Sequence, residues 1–374
     1  MKKYLLITLL LFHFTLPAAP VIESEREQFT YQIVTEDLEH PWGMAFLPDG
    51  NILVTERAGH LRLINKDGKL HPKPIQGLPS IRSYGQGGLL DVALHPQFEQ
   101  NHWVYISFAE RNAQGVGTAV ARGKLRGHRL EDIEFIFRLL PKSDKPYHFG
   151  SRLVFDKQGY LFITLGDRGN RPRAQDLNDH AGSLIRLHDD GRIPEDNPFV
   201  GLRKKRPEIF SYGHRNIQGA ALNPFSQEIW THEHGPQGGD EINIPKTGVN
   251  HGWPIITYGS NYVTGSKIGE GTHKEGMQQP IYYWVPSIAP SGMAFYNHEQ
   301  FPNWKGNLFV GSLKFRLLVR LEIDGDSIVK EERLLKGEFG RIRDVRQGLD
   351  GLIYLLTDEN DGMLVRLQPT AQTK

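Results

Sequence analysis

The sequence predicts an all-β protein, a six-bladed β-propeller of four-stranded antiparallel blades. The main observation is a set of six short apolar segments, each preceded by a turn-forming run, at residues 50–56, 103–108, 159–164, 227–231, 306–311 and 351–356. They recur every 45 to 80 residues, roughly, and a strand unit repeated on this scale is typical of propeller blades of about 40–50 residues. Functional side chains are therefore expected on loops around a central channel.

Each repeat is predicted to be a β-hairpin. Turn sequences such as Pro48-Asp49-Gly50 and Leu349-Asp350-Gly351 precede the segments, and other strand-like runs lie upstream, as at residues 43–46 and 291–295. Apolar residues within the segments are nearly continuous rather than alternating, which favours strands buried on both faces. This pattern predicts sheets stacked around a ring.

Two further features concern how the ring closes and where its loops lie. Residues 31–35 form an extra strand-like run before the first hairpin, and we predict that it completes the last blade. The longest intervals, 165–226 and 232–305, are rich in Gly, Asn, Asp, His and Pro. Long loops on a rigid scaffold are where binding and catalytic groups concentrate.

The first residues resemble a secretory signal peptide. Lys2 and Lys3 precede an apolar run that is too short for a comfortable membrane span, and Ala18 and Ala19 follow it. We expect residues 1–19 to be a signal peptide, residues 24–370 to form one propeller domain, and the protein to be periplasmic or secreted. The absence of cysteine excludes a disulfide scaffold and a thioether-linked lipid anchor.

The charge balance limits the classes of partner. The chain has 44 basic and 43 acidic residues, and both signs are spread along it. No strong field therefore favours nucleic acid or an anionic membrane surface. We expect neither a nucleic-acid partner nor stable insertion into a membrane.

Two polar clusters flank the third hairpin. His148 lies just before it, in His-Phe-Gly-Ser-Arg-Leu, and Asp167 follows its second strand, in Leu-Gly-Asp. The two ends of a short hairpin return to the same side of a blade, so these side chains can meet. A carboxylate on one imidazole nitrogen fixes the tautomer and leaves the other nitrogen as a base, although a structural pair is the alternative.

Later clusters carry cations and oxygen ligands. Arg215 and Asn216, in Gly-His-Arg-Asn, suit a carbonyl or carboxylate oxygen. Residues 232–243 contain a His-x-His pair, which suits zinc, but the glycines, proline and paired carboxylates offer the hard oxygen ligands that calcium prefers. A purely structural turn remains an alternative for this segment.

Three more cations lie near the end of the chain. Arg341 and Arg343 alternate with a period of two, so both point to one side of a strand, and Lys314 precedes them in Ser-Leu-Lys. Cations that converge on one mouth of a channel would indicate a polyanionic ligand, whereas each alone would be a surface charge.

These clusters, in this order, resemble the soluble quinoprotein glucose and aldose sugar dehydrogenases, six-bladed propellers that use pyrroloquinoline quinone (PQQ) and calcium. The likeness covers roughly residues 30–368. Its most specific parts are the His148 and Asp167 motifs, Gly-His-Arg-Asn at 213–216, His-Gly-Pro-x-Gly-Gly-Asp-Glu at 234–241 and Gly-Arg-Ile-Arg-Asp at 340–344. The bacterial aldose sugar dehydrogenase branch is the most similar.

The resemblance implies a role for each cluster. His148 would be the general base at the sugar C1 hydroxyl, oriented by Asp167, and Arg215 would stabilise charge at the reactive quinone carbonyl. The remaining residues that the resemblance assigns to the cofactor are Gln86, Asn216, Tyr262, Lys314, Arg341 and Arg343. Those that it assigns to a catalytic and a structural calcium are Gly235, Pro236, Asp240, Glu241 and His251.

The sequence departs from the family at two positions. Position 251 is His where Tyr is common, which a backbone carbonyl ligand tolerates, and Ser183 stands where Lys is often found. The resemblance implies oxidation of aldoses to lactones, with electrons passed to an unidentified acceptor. The alternatives are a calcium-dependent propeller lactonase, in which the Lys314, Arg341 and Arg343 cations would have no purpose, and a binding propeller without activity.

Overall fold

The computed structural model describes residues 20–370 and is a ring of six antiparallel sheets, which confirms the predicted propeller. The expected signal peptide, residues 1–19, lies outside the described residues. The strands of the first three blades are β3 (Pro41–Phe46), β4 (Ile52–Glu56), β5 (His60–Ile64), β6 (Leu89–Leu94), β7 (Trp103–Asn112), β8 (Gly115–Arg126), β9 (Arg129–Arg138), β10 (Leu153–Phe155), β11 (Leu161–Thr164), β12 (Ser183–Leu187) and β13 (Ile209–Tyr212).

The other three blades use the rest of the chain and its N-terminal strands. These strands are β14 (Ile217–Leu222), β15 (Ile229–Glu233), β16 (Asp240–Asn243), β17 (Tyr282–Trp284), β18 (Pro290–Phe295), β19 (Leu308–Ser312), β20 (Leu317–Asp324), β21 (Ser327–Leu334), β22 (Ile342–Gln347), β23 (Ile353–Thr357), β24 (Gly362–Pro369), β1 (Ile22–Glu23) and β2 (Gln28–Leu38). Helical structure in the described chain is limited to a short α-helix, α1 (Phe98–Asn101), and 3₁₀ turns at Arg171–Gln175 and Pro302–Trp304. Within residues 20–370, none of these helices has the length and apolar character needed to span a bilayer.

The six segments recognised in the sequence occupy one position in the fold. Each contributes the second strand of a blade: β4, β7, β11, β15, β19 and β23. The runs at residues 43–46 and 291–295 belong to innermost strands, β3 and β18. The innermost strands β3, β6, β10, β14, β18 and β22 contact one another in a closed circle around the axis.

The first and last blades depart from a simple four-stranded sheet. The first has three strands, and isolated bridges Leu61↔Ile75 and Ile64↔Leu70 stand at its outer edge. The last sheet has five strands, because β22 to β24 are completed by β2, with pairs such as Tyr31↔Leu367 and Ile33↔Val365, and β1 pairs with the outer edge of β2. The N-terminal run thus closes the ring as predicted, and buried Phe29 on β2 packs edge-on against Trp304 at 5.2 Å.

The apolar core lies between neighbouring blades rather than inside any one sheet. Each of the six interfaces between blades has its own cluster of buried side chains. Second strands such as β4 and β23 are buried at every residue, which explains their unbroken apolar runs. This packing fixes the inner strands rigidly and leaves their end loops free to carry polar groups.

A buried ion network crosses the axis. The Arg152 guanidinium, 1% exposed, lies 3.0 Å from Asp91 Oδ1 and 3.0 Å from Asp344 Oδ1, which belong to the second and sixth blades. Gly43 and Gly292 face these carboxylates, and a Cβ at either position would lie 2.5 Å or less from a carboxylate oxygen. Glycine at these inner positions therefore makes room for the charges at the centre of the ring.

Candidate active site

Residues from all six blades surround a cavity of about 480 Å³ at one mouth of the ring. Its lining residues are Trp42, Arg57, Gln86, Leu90, Phe149, Gly150, Asn216, Gln218, His234, Ala289, Leu313, Lys314, Arg316, Arg341, Arg343 and Asp358. Most of them lie on or next to the ends of inner and second strands. The ring therefore gathers polar groups that are far apart in sequence.

His148 and Asp167 meet beside this cavity. His148 Nδ1 lies 2.6 Å from Asp167 Oδ1, and the His148 backbone N–H donates to Gln86 Oε1 at 2.9 Å. Their loops approach very closely, because a Cβ at Gly166 would lie 2.4 Å from the His148 carbonyl oxygen. Glycine at position 166 is thus required for the pairing. Phe149 and Gly150, which follow His148 in the chain, line the cavity.

The electrostatics favour a neutral imidazole. Burial lowers the pKa of His148, and the cations Arg215 and Arg168 lower it further, against the effect of the Asp167 hydrogen bond. Burial alone would raise the pKa of Asp167, but the His148 hydrogen bond and the Arg215 charge hold it below its ordinary value. The ionised carboxylate accepts from Nδ1–H, so Nε2 carries a free lone pair that can take a proton.

Arg215 lines a second, smaller cavity. Its Nη1 donates to the carbonyl oxygens of His234 at 2.9 Å and Gly235 at 2.7 Å, and its backbone N–H donates to the Glu233 carboxylate. The backbone carbonyl of Arg215 accepts from Asp167 N–H at 2.8 Å. Arg215 as a whole is 8% exposed, and it lines the smaller cavity together with Glu241 and His251.

The first cavity has a strongly cationic wall. Lys314, Arg341 and Arg343 converge there as their spacing suggested, and Arg57 and Arg316 join them. Asp358 is the only acid among the described lining residues, and its carboxylate lies 2.6 Å from Arg343 Nη2 and 3.4 Å from Arg341 Nη2. One carboxylate cannot balance five cations, so the cavity keeps a net positive charge.

The segment 234–241 forms a tight turn that is rich in oxygen atoms. A Cβ at Gly235 would lie 2.2 Å from the Gly239 carbonyl oxygen and 2.3 Å from that of Gly238. The Asp240 carboxylate accepts four hydrogen bonds, from Gly235, Ser287, Ile288 and Ala289. Its side chain therefore joins the turn to residues 287–289, and its carboxylate oxygens are already occupied by hydrogen bonds.

Glu241 and His251 face the same small cavity. Burial raises the pKa of Glu241 well above its usual range, and the neighbouring Glu233 charge raises it further. The buried His251 ring stacks on His214 at 4.4 Å. Within residues 20–370 no three His, Asp or Glu side chains are grouped for a metal, so the His232–His234 pair lacks a third side-chain ligand and a cation here would rely on carbonyls.

The remaining sequence-predicted residues are placed as follows. Gln86 and Asn216 line the first cavity, and Asn216 Oδ1 accepts from Gly150 N–H at 3.2 Å. Tyr262 is 58% exposed on a loop and does not line either cavity. Sequence reasoning singled out His234 only as part of a metal-binding motif, and it missed several other lining residues, for which isolated charges and aromatics gave no signal: Trp42, Arg57, Gln218, Arg316 and Asp358.

Comparisons with known proteins agree with this geometry. A model of the Glucose / Sorbosone dehydrogenase family matches residues 38–366. The chain is 45% identical to the aldose sugar dehydrogenase of Escherichia coli, over 98% of this chain and 99% of that protein. The apo structure of the soluble Escherichia coli enzyme superposes with a TM-score of 0.89 at 46% identity, covering 91% of this chain and 99% of that one.

A more distant relative extends the comparison. The PQQ-bound aldose sugar dehydrogenase of Streptomyces coelicolor superposes with a TM-score of 0.74 at 27% identity, over 94% of this chain and 99% of that one. The match therefore extends over nearly the whole propeller. Because the family model covers residues 38–366 and the Escherichia coli relative is 45% identical over 98% of this chain, the chain belongs to the glucose/sorbosone dehydrogenase family.

Proposed function

We propose that this protein is an exported, calcium- and PQQ-dependent dehydrogenase that oxidises aldose sugars at C1 to lactones. The observation that carries the proposal is the His148–Asp167 pair, joined at 2.6 Å, beside a cavity whose wall contains five cations. The named activities of the relatives and the PQQ-bound form of one of them support it.

The residues present fit PQQ. A planar quinone with several carboxylates needs a concave, cationic site, and the 480 Å³ cavity is of the size that encloses a small cofactor. Lys314, Arg341 and Arg343 would pair with its carboxylates. Gln86 and Asn216 would donate hydrogen bonds to its other oxygens, whereas Tyr262 would need its loop to move inward to take part.

The residues present also fit calcium. Half-buried Glu241 has a raised pKa because it is desolvated beside another carboxylate, and a divalent cation would relieve that cost. We propose the carbonyls of Gly235 and Pro236 as ligands of a catalytic calcium. Glu241, with the backbone at Asp240 and His251, would hold a structural one.

The chain's own groups then perform the proton chemistry. When bound, PQQ supplies the hydride acceptor and calcium the Lewis acid that polarises it. His148 Nε2 takes the proton from the C1 hydroxyl, while the hydride leaves C1 and the C1–O bond becomes the carbonyl of the lactone. Asp167 would stabilise the imidazolium that forms, and the Arg215 guanidinium would supply positive charge to stabilise the negative charge that develops during hydride transfer.

Export rests on the sequence of the N-terminus. The basic start, the short apolar run and the two alanines of residues 1–19 support secretion to the periplasm or the medium. Expression with a C-terminal tag, followed by fractionation and mass spectrometry of the mature N-terminus, tests this part. Full-length protein retained in the cytoplasm would contradict it.

Reconstitution tests the enzymatic proposal. Purified apo-protein should oxidise glucose or another aldose with an artificial dye only when calcium and PQQ are both added. Dye reduction with neither, or with a nicotinamide cofactor alone, would refute the proposal. Lactone hydrolysis with calcium alone would identify the lactonase, and sugar binding without turnover would identify the binding propeller.

A further inference from the structure

The Asp167 carboxylate has a third partner that the sequence did not suggest. The Trp253 indole Nε1–H donates to Asp167 Oδ2 at 2.8 Å. Asp167 Oδ1 accepts from His148 at 2.6 Å and from the Gly169 backbone at 2.7 Å. Within residues 20–370 the indole is the only hydrogen-bond donor to Oδ2, so it determines which oxygen faces the base.

Trp253 is itself firmly held. Trp253 is 5% exposed. Its backbone N–H donates to the Gly213 carbonyl at 2.9 Å, and its backbone carbonyl accepts from Gln175 Nε2 at 2.7 Å. The Arg171 and Arg215 guanidinium groups lie 5.5 and 5.4 Å from the ring. An indole fixed by backbone bonds, packing and two cations cannot turn away from the carboxylate without breaking them.

We propose that Trp253 is a positioning residue for the general base, acting through Asp167. An indole N–H only donates, so it holds the carboxylate plane in one orientation. That orientation directs Oδ1 to His148 Nδ1 and leaves Nε2 on the side of the ring away from the carboxylate. Trp253 also packs near Arg215, so one side chain aligns the two groups to which the proposed reaction assigns proton transfer and charge stabilisation. This inference rests on the proposed function.

The chain provides a matched control. Trp284 is 3% exposed, and its indole donates to the Glu331 carboxylate at 2.6 Å on an outer strand. Trp253→Phe and Trp284→Phe both delete one buried indole–carboxylate hydrogen bond, but only the first lies near the base. We expect Trp253→Phe to lower kcat about tenfold, which is less than the effect expected for loss of His148 itself. The KM for the sugar and the affinity for PQQ should change little. Trp284→Phe should keep wild-type kcat.

A double-mutant cycle tests whether Trp253 acts through Asp167. On an Asp167→Asn background, Trp253→Phe should cost less than about twofold, because the aligned carboxylate is already lost. Equal costs on both backgrounds would overturn the proposal. If Trp253→Phe does not fold, Gln175→Leu removes the bond to the Trp253 carbonyl and should show a smaller fall in kcat of the same kind, and an unchanged kcat would then count against the proposal.

A second readout does not need the cofactor. In apo-protein with ¹⁵N-labelled histidine, the His148 signal, assigned by its loss in His148→Gln, should show the Nδ1–H tautomer and shift in Trp253→Phe but not in Trp284→Phe. Identical His148 signals in the two variants would refute the positioning role. If wild-type protein oxidises no sugar, the proposed function fails, while these spectra still decide whether Trp253 orients the pair.

Discussion

The cationic wall predicts graded losses of cofactor affinity. The Arg343 side chain is 9% exposed and that of Arg341 is 40% exposed, while Lys314 is exposed. A buried charge-assisted hydrogen bond contributes about 1.5–3 kcal/mol, equivalent to roughly 10- to 150-fold in Kd. An exposed ion pair contributes about 0–1 kcal/mol, or at most about fivefold. We therefore expect Arg343→Ala to raise the Kd for PQQ most, Arg341→Ala less and Lys314→Ala least.

The assay is a direct titration of apo-protein with PQQ in saturating calcium, by calorimetry and by fluorescence quenching. Arg343→Ala also leaves Asp358 without its 2.6 Å partner, so the stability of each variant must be measured in parallel. Arg320→Met is the matched control, because this fully buried arginine pairs with Glu332 at 2.7 Å on an outer strand.

We expect Arg320→Met to lower the thermal transition and leave the Kd of the folded fraction unchanged. The reasoning would be refuted by an effect of Lys314→Ala equal to that of Arg343→Ala. It would also be refuted if Arg320→Met weakened PQQ binding as much as Arg343→Ala.

Four further predictions address the base, the charge stabiliser and the closure of the ring. His148→Ala should lower kcat by about 10²–10⁴ with PQQ still bound, and Asp167→Asn should lower it less; near-normal turnover of His148→Ala would exclude the role. Arg215→Ala should keep a low kcat at saturating PQQ, because its contact strengthens as charge develops, and full rescue by excess PQQ would make it a binding residue only. In apo-protein the His148 ring should titrate below pH 6.5, because burial and nearby cations disfavour its charged form, and NMR titration at or above 6.5 would contradict this. Deletion of residues 24–36 should lower the calorimetric transition, since the loss of buried Phe29 alone costs about 3–5 kcal/mol, and an unchanged transition would count against closure by β2.

The His148–Asp167 pair shows what can be predicted from local sequence. His148 and Asp167 flank one hairpin, so a strand of known length brings them to the same end of a blade. The arginines at 341 and 343 share one cavity wall, as their period-two spacing suggested. Pleat alone does not explain this, because Arg341 precedes β22 and the register of β22 shifts between Ile342 and Asp344.

Residues that act across blades were beyond such reasoning. Trp253 reaches Asp167 from 86 positions away along the chain, through a loop between β16 and β17 that has no repeating pattern. In the sequence, Arg57 and Arg316 cannot be distinguished from ordinary surface charges, and only the folded ring shows that both line the cavity. Nothing in a single repeat encodes such a contact.

The sequence by itself predicted the propeller, its closure by the N-terminal strand and the positions of the polar clusters along the chain. Strands that are apolar on both faces can bury those faces only when their sheets stack on one another. A closed ring of sheets buries both faces of every sheet, because it has no first or last sheet with an exposed face. Only the tertiary structure decided which charges share the cavity, that the Asp240 carboxylate is occupied by hydrogen bonds from Gly235 and residues 287–289, and that an indole holds the Asp167 carboxylate. The physical reason is that irregular loops from six blades converge at the axis, and their paths depend on packing against one another rather than on any periodicity in the chain.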